Sequence, residues 1–158
     1  MDKSMRLGIS FGITSGAITT LGLMVGLNAG THSMLVVLGG IVTIAIADAF
    51  SDALGVHISE ESESVHSAHE IWESTIATFF SKLIFAMTFA IPVIFLPLQQ
   101  AVLVSVIWGL LIIALLSYSV ALSEKKQPWK VVLEHLSIAV IVVIVTNYVG
   151  AFVAQTFV

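Results

Sequence analysis

The sequence contains no cysteine among its 158 residues, and only 10% of it is charged. Without cysteine there are no disulfides, no thiolate metal centres and no thiol nucleophiles. So little charge excludes an ordinary soluble domain, in which about a quarter of the residues are Asp, Glu, Lys or Arg. Basic residues are the scarcer sign, with six Lys and Arg against ten Asp and Glu. They form no stripe, and no nucleic-acid motif accompanies them, so no nucleic-acid partner is expected. Nor does any nucleophile cluster with a base and an orienting group, which argues against an enzyme of the hydrolytic kind. Internal repeats, long linkers and a separate soluble domain are likewise not evident, and the chain reads as a single membrane domain.

Apolar sequence is what the chain has in excess, at 58% hydrophobic residues and a mean hydropathy of +1.05. Residues 7–47, 83–123 and 136–158 contain no Asp, Glu, Lys or Arg. A transmembrane helix needs roughly 20 apolar residues, so the first two runs hold two spans each and the last holds one. The expected fold is an all-α integral membrane protein with five transmembrane helices in a lipid bilayer. The first stretch is too long for a signal peptide and is followed at once by another span, so it reads as retained.

Polar and helix-breaking residues place the spans at roughly 7–27, 34–55, 73–97, 101–122 and 130–156, with a short acidic and His-containing connector at about 56–72. The second span has too few residues before Asp48 to cross the bilayer, so it must continue through Asp48 and Asp52. By the same argument the third span begins near Trp72 and carries Lys82 into the membrane. Lys3 and Arg6 precede the first span, and Lys125, Lys126 and Lys130 lie between the fourth and fifth. The positive-inside rule then predicts a cytoplasmic N-terminus and connector and a C-terminus outside, in the plasma membrane if the source is prokaryotic.

An ionised side chain in hydrocarbon costs at least about 2.5 to 3.5 kcal/mol, so Asp48, Asp52 and Lys82 need partners, water or a function. Asp48 and Lys82 fall at matching depth on consecutive antiparallel spans, which allows them to pair. Asp48 and Asp52 are one turn apart and share a helix face, the spacing at which two carboxylates bind one cation. Two readings stay open: a structural Asp48–Lys82 pair with Asp52 reaching to the interface, or a metal or proton pathway through all three. Ser15, Thr19 and Thr20 lie near the same depth on the first span.

The connector contains Glu63, His66, His69, Glu70 and Glu73. On one continuous helix Glu63, His66, Glu70 and Glu73 form a stripe of carboxylates and imidazole suited to Fe²⁺, Mn²⁺ or Zn²⁺. A solvated acidic turn is the plainer alternative. Gly8, Gly12 and Gly16, then Gly22 and Gly26, permit close helix approach, either within the subunit or across a dimer. Asn147 is expected to hydrogen bond between helices.

The segment from Ser15 through Thr19, Thr20, Gly22 and Met24 to Leu27 resembles the first-helix signature of the vacuolar iron transporter family. Gly39, Gly40 and the run from Ala47 to Ser59 are similar to its second helix. This resemblance implies a five-span homodimer that exports Fe²⁺ or Mn²⁺ from the cytosol in exchange for protons. Ser15, Asp52 and Val56 stand where that family has Asp, Met and Glu, and the large cytoplasmic metal-binding domain is reduced to the connector. Acidity thereby moves from the first span to the second, where Asp48 and Asp52 make an oxygen-rich site. The expected function is a proton-coupled transporter (antiporter) of Fe²⁺ or Mn²⁺ with no resident cofactor. The alternative is a non-transporting scaffold or metal-sensing subunit with a structural Asp–Lys pair.

Overall fold

Proline sits at three helix boundaries. The computed structural model describes residues 3–63 and 65–157 and comprises α1 (Lys3–Thr31), α2 (Met34–Glu63), α3 (Ala68–Thr88), α4 (Ala90–Phe95), α5 (Leu98–Ser123) and α6 (Pro128–Phe157). Pro92 has no amide hydrogen for the Thr88 carbonyl four residues back, and its ring crowds that carbonyl, so α3 stops there and α4 restarts after Phe89. Leu96, held extended before Pro97 (φ −123°, ψ 155°), ends α4. Pro128 opens α6, where a missing amide hydrogen costs nothing. His32 and Lys125, with φ of 49° and 55°, turn the chain out of α1 and α5.

Among the described residues, five helical segments are long and apolar enough to cross a membrane, α3 and α4 together forming the third. The chain is thus a multi-pass, all-α membrane protein. Large apolar side chains such as Leu35, Phe50, Ile107 and Phe152 are exposed, as suits surfaces whose solvent is hydrocarbon.

The helices run longer than the polar residues suggested. α1 continues through Asn28 to Thr31, and α2 continues past Gly55 to Glu63, so among the described residues only 65–67 lie outside helix in the α2–α3 connector. Residues 56–63 contain no proline to stop α2. The start of α3 is fixed by a capping box. Ser67 Oγ accepts from the Glu70 amide, and the Ser67 amide donates to Glu70 Oε2 at 2.8 Å.

α1 is the hub. Half of its span is buried, against 6% for α6. Its glycines divide between two partners. A Cβ on Gly8, Gly12 or Gly16 would meet α3, whereas one on Gly22, Gly26 or Gly30 would meet α6. Contacts advance in the same chain direction in both cases, so α3 and α6 run parallel to α1. Asp52 meets Ser15, and Gly40 meets Leu27 and Leu23, so α2 runs antiparallel to it. The glycine spacing therefore serves packing within one chain. Ala17, Leu21, Met24, Ile41, Phe89 and Ile113 fill the apolar core around α1. Asn147 departs from expectation: it is exposed on α6 and forms no side-chain hydrogen bond among the described residues.

Candidate functional site

Lys82 is the largest fully buried side chain among the described residues, with 1% of its surface exposed. Its partners come from two other helices. Nζ lies 2.6 Å from Asp48 Oδ2, contacts Asp52 Oδ2 more closely still, and donates to Ser15 Oγ at 2.9 Å. Ser15 Oγ in turn donates to Asp52 Oδ2 at 2.6 Å. The Asp48 contact is an ion pair without hydrogen-bond directionality, leaving its Oδ2 with no hydrogen-bond partner. The Asp48 and Asp52 side chains are 24% and 19% exposed.

Local sequence explains this convergence. Asp48 and Asp52 are four residues apart on α2 and face one way. Ser74, Thr78 and Lys82 are spaced by four on α3, and all three are buried. Gly16 allows the Lys82 backbone close to α1, where an added Cβ would lie 3.3 Å from the Lys82 carbonyl oxygen and Cγ. The depth match between Asp48 and Lys82 thus becomes contact. Asp52 is held by Lys82 and Ser15.

Thr19 Oγ1 returns to the Ser15 carbonyl at 2.9 Å, the ordinary use of a helical hydroxyl. Thr20, fully buried one residue on, has a hydroxyl with no partner, as does Ser105 on α5.

The connector residues do not form the expected stripe. That reading required one helix through Glu63, His66, Glu70 and Glu73, but residues 65–67 interrupt it. Glu63 and His66, 3.5 Å apart, line a cavity with Lys3 and Glu60, whereas His69 and Glu73 line a different groove with Met5 and Trp72. Glu70 is occupied as the α3 cap. Among the described residues no three His, Asp or Glu side chains gather in a group able to hold a metal ion. The Ser67-Ala-His-Glu70 spacing is the sequence signal for that cap.

Two histidines bond hydroxyls on neighbouring helices. His57 Nδ1 lies 3.0 Å from Thr75 Oγ1, which also donates to the Ile71 carbonyl. His135 Nδ1 lies 2.8 Å from Ser117 Oγ, which also donates to the Ile113 carbonyl. Outside the spans, a side-chain hydrogen bond from Lys126 holds the Glu124 carboxyl below its ordinary range. That pair is solvated and contributes little to the fold.

Sequence reasoning missed Glu60. It is 6% exposed, and its Oε2 accepts from Ser74 Oγ at 2.6 Å. The signal was its place in the four-residue series that contains Asp48, Asp52 and Val56. No protein-family model matches the chain, and no curated protein matches it either.

Proposed function

We propose that this protein transports a divalent cation, with Mn²⁺ or Fe²⁺ as cargo and protons as the exchanged ion. One observation carries the reading: two carboxylates face a single buried ammonium. When ionised they leave one negative charge uncompensated, and a purely structural pair would need only one of them. A buried charge without compensation is costly, so the site suits a mobile cation or proton. The available donors are oxygen atoms of Asp48, Asp52 and Ser15, a set that favours hard or borderline ions over soft ones.

Lys82 acts in this reading as an internal cation. It holds the carboxylates together when cargo is absent and gives way when a divalent ion takes its place. The resemblance to vacuolar iron transporters supports the same cargo and an outward direction from the cytosol. The homodimer it implies would form on faces other than the α1 glycines, which are occupied within one chain.

Reconstituted protein should carry Mn²⁺ or Fe²⁺ into liposomes along an opposing pH gradient, and Asp52→Asn should reduce that flux by at least about 100-fold, as expected for loss of a charged ligand. Fluorescent-indicator uptake, with size-exclusion chromatography to show that the variant is folded, measures this. Wild-type flux in a folded Asp52→Asn protein would overturn the assignment.

A further inference from the structure

Glu60 lines a cavity of about 210 Å³ between the N-terminal end of α1 and the C-terminal end of α2, together with Lys3, Ser4, Leu7, Val56, Ser59, Glu63 and His66. Three features separate this carboxylate from the other acidic groups of the connector. It is more than nine-tenths buried, whereas Glu61 and Glu63 beside it are exposed. It forms no ion pair among the described residues. Its one side-chain hydrogen bond comes from Ser74, which begins the buried series that leads through Thr78 to Lys82.

The helix register sets its distance from the central site. Glu60 follows Asp52 by eight residues, about 12 Å along α2 at 1.5 Å per residue. Halfway between them Val56 is buried, at the level of Thr78, and it lines the cavity while Asp48, Asp52 and Lys82 do not. The cavity therefore stops one helical turn short of the central carboxylates. Val56 is the apolar layer between the two.

Resting on the transport reading above, we propose that Glu60 is a second cation station. It would hold a divalent ion in a vestibule on the connector face before the ion passes Val56 to Asp48 and Asp52. A buried carboxylate that forms no ion pair among the described residues attracts a mobile cation, and low-dielectric walls concentrate counter-ions at it. Ser74 holds Glu60 Oε2 by a hydrogen bond without neutralising it. Lys3, Glu63 and His66 form the rest of the charged lining, and the His66–Glu63 contact leaves Glu60 as the carboxylate at the cavity's inner end.

The absence of native cysteine makes a direct test possible. Ser59→Cys places one thiol in the vestibule beside an intact Glu60, and its labelling by a cationic methanethiosulfonate reagent can be timed with and without Mn²⁺. Mn²⁺ should slow labelling about ten-fold, within the range by which charged clefts concentrate cations. It should leave labelling unchanged at Ser10→Cys, which lies in a separate cavity with Arg6 and Glu124. Adding Glu60→Gln to Ser59→Cys should abolish the protection, whereas adding Glu63→Gln should retain it. Equal protection at positions 59 and 10, no protection at 59, or protection that survives Glu60→Gln would overturn the station. The comparison of positions 59 and 10 leaves Glu60 untouched and decides the matter even if Glu60→Gln does not fold.

Flux separates this proposal from the reading it rests on. With Mn²⁺ supplied on the connector face, Glu60→Gln should raise the half-saturating concentration about ten-fold with the maximal rate retained, and Glu60→Asp should restore most of it. Asp52→Asn should instead remove the maximal rate. An unchanged half-saturating concentration in Glu60→Gln overturns the station alone. Wild-type rates in Asp52→Asn overturn the central site while the labelling result still decides the vestibule.

Discussion

Replacing Lys82 with Met is expected to destabilise the protein by about 3 kcal/mol or more, the range found when one partner of a buried ion pair is removed. The methionine side chain fills a similar volume, so the loss is electrostatic. Asp48 and Asp52 would face each other across a partly buried gap with no ammonium between them. The triple change Lys82→Met, Asp48→Asn and Asp52→Asn removes every charge and should recover most of that stability, because neutral replacement of a buried ionic cluster is often close to neutral in energy. Thermal unfolding in detergent measures both. Transport separates structure from function in the same proteins: the triple variant should be folded and carry no Mn²⁺. A stable triple variant with wild-type flux would show that the cluster only holds helices together, and absence of flux in the wild type would favour the scaffold.

A comparable loss is expected where α6 meets α1. A Cβ on Gly150 would lie 2.1 Å from the Gly26 carbonyl oxygen and 2.9 Å from its carbon, and both are backbone atoms with no rotamer to change. Gly150→Ala must therefore push the two helices apart, at a cost of about 3 kcal/mol, the upper part of the usual range for overpacking. Gly39 gives the contrast. Nothing lies within 4 Å of a Cβ there, so Gly39→Ala should be neutral or stabilise α2 by up to about 1 kcal/mol through helix propensity. Unfolding midpoints of the two variants in one detergent test the difference. Equal midpoints would mean that the α1–α6 approach is looser than described.

Much of the architecture was legible because charge is so rare in the sequence. Each intramembrane charge forces a question of depth, and counting residues from the span ends brought Asp48 level with Lys82. The capture of Asp52 was harder to see, since a side chain near a span end can extend either to water or to a neighbour. Only the close passage of α1 at Gly16, which brings Ser15 to the pair, decides it. The connector shows the opposite case. Its acidic residues and histidines look like a ligand stripe only if helix is assumed throughout, and the capping box at Ser67 and Glu70 argues against that assumption from four residues of sequence. Glu60 was obscured by its surroundings, because its acidic neighbours mask the four-residue series that continues from Asp48 and Asp52. Its hydrogen-bond partner, Ser74, lies on a different helix. Partner choice by the α1 glycines was equally out of reach, since spacing gives the face and not what covers it.

The unequal count of charges around Lys82 has a consequence for energy coupling. If the proposed exchange is to leave no net charge in the low-dielectric interior, each divalent ion must be matched by two protons moving the other way. Clamping the liposome membrane potential with potassium and valinomycin should then leave the rate unchanged, whereas a one-for-one exchange would follow the voltage.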